Sequence, residues 1–320
     1  MTRYILRRLL VAVLLLLAVS LLTFIIFYLL PSSDPAVLRG GKHARPEILA
    51  QIREQLGLDD PWWVQFGIYA KGLVLHFDLG YSFSNDLSVK TEIFERLPAS
   101  ISLAVGAFVL WLTVGIGVGI ISATRPGSWL DRIGMGGALV AISAPVYWLG
   151  LLALYLFSEE FGRFPILPGA GSYVPLTEDP AAWFASLIMP WCVLAASYAA
   201  IYARLVRSTM LETLSSDYIR TARAKGLRRR RVVMRHGLRS TMTPVVTAAG
   251  LDLGIVLGGA LLVESVFNIP GVGRLAFDAI REGDVPMIQG TVLIGAIFIV
   301  LANLVVDVLY AFLDPRVRYS

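Results

Sequence analysis

The chain has 320 residues, 56% of them hydrophobic, a formal net charge of +5, one cysteine and a mean hydropathy of +0.69. That apolar content exceeds the roughly 45–50% of a soluble globular domain, so the chain belongs in a bilayer, and a lone cysteine excludes an intramolecular disulfide. Nucleotide hydrolysis has no G-x-x-x-x-G-K-[ST] loop to work with, and His43, His76 and His236 are too scattered to hold a metal ion, so no catalytic or metal-binding residue is expected.

Six stretches reach the ~20 mostly apolar residues that cross a hydrocarbon core of about 30 Å: 9–30, 101–123, 133–157, 183–206, 245–263 and 287–312. Arg3, Arg7 and Arg8 precede the first, which is too long for a signal peptide and lacks a small-x-small cleavage site before Pro31; it reads as a retained span. Residues 1–30 therefore form a tail and first span.

Residues 31–97 are too long for a simple link and are expected to be an extracytoplasmic insert. Pro46 to Leu56 reads as a helix with Ile48, Leu49, Ile52 and Leu56 on one stripe and Gly57 as its stop. Asp60 is expected to cap a second piece from Pro61, and Trp62, Trp63, Phe66 and Tyr69 suit a helix lying at the outer interface. A turn-rich link, Asp78-Leu79-Gly80-Tyr81-Ser82, precedes a short helix from Val89 to Arg96 that runs into Pro98.

Spans two to six occupy 98–312, with a tail at 313–320. Glycines in spans two and three suit close helix packing without water to drive association, and Pro145 should kink span three. Cys192, inside span four, reads as a small buried hydrophobe. In span five Gly250, Gly254 and Gly258 recur every four residues and form a small-residue face for packing, across a two-fold axis or otherwise. Asp252 in the same span needs a structural hydrogen bond, a cavity or a proton, because a central carboxylate costs roughly 2.5–3.5 kcal/mol on insertion scales. Asp307, near the end of span six, lies within reach of an arginine from the basic loop.

The basic residues are unevenly spread. Arg204 to Arg239 holds eleven Lys or Arg, whereas 158–182 has four acids and one Arg, and 264–285 four acids and two Arg. The positive-inside bias makes both termini and the basic loop cytoplasmic.

That loop, 208–243, carries the most specific signal. From Ser216 to Pro244 it reads SDYIRTARAKGLRRRRVVMRHGLRSTMTP. Asp217 is a plausible N-cap for a short helix through Thr221, Ala222 and Ala224, Gly226 a stop, and Leu227 to Arg239 a second helix with Val232, Val233 and Leu238 apolar. The run Asp217, Tyr218, Ile219, Arg220, Thr221, Ala222, Arg223, Ala224, Lys225, Gly226, Leu227, followed by Arg231, Val233, Arg235, His236, Leu238, Arg239 and Pro244, resembles the cytoplasmic coupling loop of permease subunits of bacterial binding-protein-dependent ABC importers. It is most similar to the dipeptide/oligopeptide and nickel branch. Arg220 and Thr221 stand where the wider family has Glu and the first Ala, which fits the peptide branch and counts against a sugar importer. D-L-G-x-S at 78–82, FPILPGAG at 164–171 and ESVFNIPGVGRLAFDAIREGDVPMIQG at 264–290 match the same branch.

The resemblance implies an all-α membrane protein with the six-span transmembrane domain of a type I ABC importer. It implies a peptide-translocating pore subunit that is not itself an enzyme, ATP and Mg²⁺ being bound by partner ATPases and no cofactor by this chain. The implied partners are a second, homologous permease (a heterodimer), two cytoplasmic ATPases, an extracytoplasmic binding protein and membrane lipid, with no nucleic acid. Coupling would fall to Asp217, Tyr218, Arg220, Thr221, Ala222, Arg223, Lys225, Gly226 and Leu227, and the pathway to Asp252, Glu264 and Asn268. The alternative is a proton- or ion-coupled secondary transporter, which would show internal repeats and paired intramembrane charges.

Overall fold

A computed structural model describes residues 2–29, 34–40 and 45–313. Among the described residues every regular element is helical, and strand-like pairing is limited to two isolated bridges, Tyr81–Ser88 and Ser158–Leu167. The expectations placed on Pro31, on His43 and on the tail beyond residue 313, and on the Asp307 side chain, lie outside what is described. The chain divides into two compact units: residues 1–100, 257–261 and 270–301, and residues 101–256, 262–269 and 302–320.

In the first unit, α1 (Thr2–Phe24) ends in a π turn, Ile25–Leu29, and is followed by α2 (Pro35–Gly40), α3 (Pro46–Leu56) and α4 (Trp62–His76). Helix α3 has the bounds its stripe predicts, and Gly57 closes it at φ +61°. Arg53 ties α3 to Asp34 and, at 2.9 Å, to Asp59. Asp60 does not cap α4: Pro61 holds that position and no side chain bonds the free amides. Nor does α4 lie across the end of α1. Phe24 meets Phe66 and Tyr69 at 5.5 and 6.2 Å, and Val13, Leu16 and Leu17 line one cavity with Leu73, Val74 and Phe77. That order sets α4 antiparallel along α1, so its apolar length packs against a helix.

The short helix expected at Val89–Arg96 is the start of α5 (Val89–Thr124), which continues through Pro98. Val89 and Ile93 pack with Val272 and Leu275 of α13 (Val272–Glu282) and with Ile288 and Leu293 of α14 (Val285–Leu313). Gly290 permits this, because a Cβ there would meet Val89 at 2.5 Å. Asp284, buried ahead of α14, accepts bonds from Ser82 Oγ, from Phe83 N at 3.2 Å and from Met287 N at 3.2 Å. The D-L-G-x-S link is thereby fixed on a helix start.

In the second unit the remainder of α5 lies beside α8 (Pro180–Ser215), capped by Asp179. Trp191 donates to Ser102 O at 3.0 Å. Further along, a Cβ at Gly115 would meet Tyr202 at 2.7 Å and one at Gly119 would meet Val206 at 2.6 Å. Residue numbers rise together along both helices, so α5 and α8 are parallel. Between them come α6 (Trp129–Ser143) and α7 (Val146–Phe157), bent by 103°. Pro145 causes the break: it lacks an amide hydrogen, and Ala144 before it is extended at φ −86°, ψ 128°. Asp131 of α6 contacts Arg207 near the far end of α8, yet the chain reaches Pro180 roughly 40 Å of helix away at about 1.5 Å per residue. The bent pair and loop 158–179 therefore make one net crossing. Counting the bent pair as one, the described residues hold six candidate spans, five of them in continuous helices.

Candidate functional site

Helix α8 stops at Ser216, whose backbone is extended (φ −69°, ψ 155°), and α9 (Asp217–Ala224) begins at once. Ser216 holds the N-cap position expected of Asp217 and makes no side-chain capping bond; its hydroxyl turns back to Thr213 O at 2.6 Å. Asp217 is the first helical residue and lies 3.4 Å from Arg220, an exposed pair of little energetic weight. Ile219 and Ala222 are buried against Leu214, Leu227 and Val232. Asp217, Tyr218, Arg220, Thr221, Arg223 and Lys225 are all exposed.

The helix ends as its glycine requires. Gly226 adopts φ +75°, its amide donates to Arg223 O at 2.9 Å, and Leu227 N returns to Ala222 O at 3.4 Å. A Cβ at Gly226 would meet nothing within 4 Å, so this glycine is needed for its backbone angle and leaves an open surface beside it. The second helix expected at Leu227–Arg239 is not separate. Arg229–Arg231 (α10) passes through a π segment, Val232–Gly237, into α11 (Leu238–Leu257), so the basic run continues directly into the helix of span five. Gly237 makes room for Leu214 at 3.2 Å and Met210 at 3.6 Å.

The three candidate pathway residues lie in α11, in α12 (Leu261–Val266) and just after α12. Asp252 of α11 accepts from Tyr202 Oη of α8 at 2.6 Å, the structural hydrogen bond among the alternatives weighed for it. Glu264 lies fully buried in α12. Asn268 follows at φ +54°, packed where Gly171 of loop 158–179 lacks a side chain, and Gly171 N donates to Phe267 O at 2.9 Å.

Of the small-residue face, Gly250 receives Val306 of α14 and Gly254 is buried. Gly258 lies beyond the end of α11, where span five stops at Leu257 and not at Val263, because Gly259 at φ +127° breaks it. Cys192 is exposed and lines an open apolar cavity with Trp183, Phe184 and Trp191; it is not the buried hydrophobe expected. Among the described residues no three His, Cys, Asp or Glu side chains cluster as metal ligands.

Sequence reasoning missed Asp131. It accepts from Arg207 Nε and Nη2 at 2.7 and 2.9 Å and from Gly127 N at 2.9 Å, and is 4% exposed. The signal was available as Ser128-x-x-Asp131, a helix-start pattern, and Ser128 Oγ does accept the Asp131 amide at 3.3 Å.

Comparison with known proteins follows this geometry. Residues 115–319 match the family described as "Binding-protein-dependent transport system inner membrane component", and residues 1–104 match the N-terminal model of the same transport systems. A Brucella abortus protein provisionally named a peptide transport system permease protein is 43% identical over 320 residues, all of both chains. The dipeptide transport system permease proteins DppB of Alkalihalophilus pseudofirmus and Escherichia coli K12 are 40% and 39% identical, again over the full length of each. Among solved structures, a chain of the inward-facing MetNI methionine ABC transporter superposes with a TM-score of 0.55 at 19% identity, covering 69% of this chain and 96% of that one.

Proposed function

Because the chain belongs to the family of binding-protein-dependent transport system inner membrane components, we propose that it is the pore-forming permease subunit of a peptide importer driven by separate ATPases. The full-length identity with two dipeptide permeases supports peptide as cargo. The observation that carries the coupling is the two-sided character of α9. Its inner face, Ile219 and Ala222, is locked onto Leu214, Leu227 and Val232, while Tyr218 and Thr221, with Lys225 just past its end, are exposed.

In this reading an ATPase groove receives Tyr218, Thr221 and the bare backbone at Gly226, and acids around it pair with Arg220, Arg223 and Lys225. Ala222 and Leu227 act from within, as the packing that makes α9 follow the groove. Two ATPases closing on ATP and Mg²⁺ then move α9 as a lever, and spans two to five rearrange to open a cavity to the outside. A binding protein delivers peptide there, and hydrolysis resets the assembly. A second, homologous permease completes the pore, and Glu264, Asn268 and the segment around them stand at its outer end.

The test is copurification of the ATPases with Gly226→Val. A β-branched residue at φ +75° is strained and crowds the open surface beside the helix end. ATPase binding is expected to fall sharply; unchanged binding and uptake would contradict the lever.

A further inference from the structure

We propose that the cytoplasmic turn between α5 and α6 is a second transmission contact of the coupling segment, gripped by Arg207 and Arg229, with Asp131 as its positioning residue. The inference rests on the coupling role of α9, and adds where the movement goes next. The two arginines flank α9 in sequence: Arg207 lies in the last part of α8, and Arg229 follows the Gly226 stop.

Arg207 engages the turn with two parallel bonds to Asp131, Nε to Oδ1 at 2.7 Å and Nη2 to Oδ2 at 2.9 Å. Such a fork fixes orientation as well as distance. The same carboxylate accepts Gly127 N, in a turn where Gly127 sits at φ +75°. Arg207 is thus attached to the shape of the turn through a side chain only 6% exposed. From the other flank, Arg229 Nη2 donates to Thr124 O at 2.6 Å. Thr124 is the last residue of α5, whose final carbonyls have no partner within the helix and favour a cation.

Apolar packing reaches the end of α5, where Ala123 lies with Met210, Val233 and Leu214, and the two arginines add the polar contacts to the turn itself. Between the turn and α9 lies an open cavity of about 480 Å³, lined by Thr124, Pro126, Leu214, Arg223, Leu227 and Val232. A push on α9 therefore reaches the turn through the two guanidinium groups as well as through the apolar cluster at Leu214 and Ala123. Farther from the cytoplasm, Gly115 and Gly119 bring α5 against α8, so the gripped turn and the helix seam move spans two, three and four together.

The experiment uses the full complex with its ATPases in liposomes. In a Cys192→Ser background, spin labels on Arg125→Cys in the turn and Ser215→Cys at the end of α8 report whether the two travel together. With the grip intact, their separation is expected to be the same in the resting and ATP-trapped states. With Asp131→Asn and Arg229→Gln combined it should differ between the states, and peptide moved per ATP should fall about tenfold, within the range of typical coupling effects. A separation that changes on ATP trapping with the grip intact overturns the proposal, as does a double variant that transports at the parent ratio. Should the double variant fail to assemble, the intact-grip distances decide alone. ATPase copurification separates the two levels: loss of all ATPase contact with α9 sinks the coupling reading, whereas bound ATPases with an uncoupled turn sink only this one.

Discussion

The seam between α5 and α8 gives a prediction with a built-in control. Gly115, Gly117 and Gly119 lie within little more than one turn of one helix, yet a methyl group would meet different surroundings at each. At Gly119 it would stand 2.6 Å from Val206 Cβ and 2.9 Å from Ala203 O, and at Gly115 2.7 Å from Tyr202 Cβ and 2.8 Å from Ala199 O. At Gly117 it would meet nothing within 4 Å. Glycine to alanine favours a helix by about 1 kcal/mol wherever it is made, and that gain is common to all three sites. What differs is overpacking, about 1–3 kcal/mol where the core cannot shift. The backbone oxygens opposite Gly115 and Gly119 make shifting difficult. Gly117→Ala should therefore be neutral to slightly stabilising, and Gly119→Ala about 2 kcal/mol less stable than Gly117→Ala. Equilibrium unfolding of the purified protein in mixed micelles measures the difference, and uptake per complex should follow the same order. If Gly117→Ala and Gly119→Ala unfold alike, helices α5 and α8 are not held at backbone contact and the rigid seam is wrong.

Two further substitutions test other joints. Tyr202→Phe removes the 2.6 Å bond to Asp252 and should lower stability by about 1 kcal/mol, within the range for hydrogen bonds inside membranes, leaving the KM for peptide unchanged; unaltered stability with lost uptake would assign Asp252 to the pathway. Asp284→Ala strips Ser82 Oγ and the amides of Phe83 and Met287 of a buried acceptor, at about 1–3 kcal/mol for each group left unpaired. Limited proteolysis should then cut within 82–88, and a loop that stays resistant would refute the clamp.

Apolar length was enough to place the candidate spans, since it follows from what a bilayer excludes. Helix α3 and its Gly57 stop, the break at Pro145 and the Gly226 stop of α9 were also legible, because each depends on a local backbone restriction. Continuity was harder to read. Pro98 looked like the end of a helix, but α5 runs through it, and the basic stretch after Leu227 looked separate, though packing of Val232, Val233 and Gly237 on α8 carries it into span five. Burial misled at Cys192, where a position inside an apolar span faces an open cavity instead of a neighbouring helix. The Asp131–Arg207 fork was invisible for another reason: its partners stand 76 positions apart in sequence.

Energy source is the point on which the whole account turns, and uptake of labelled dipeptide into proteoliposomes measures it. Liposomes carrying this chain, its partner permease, the ATPases and the loaded binding protein should accumulate peptide with ATP and no ion gradient. The same liposomes without the ATPases should accumulate none under any imposed proton or sodium gradient. Gradient-driven accumulation in their absence would contradict the account.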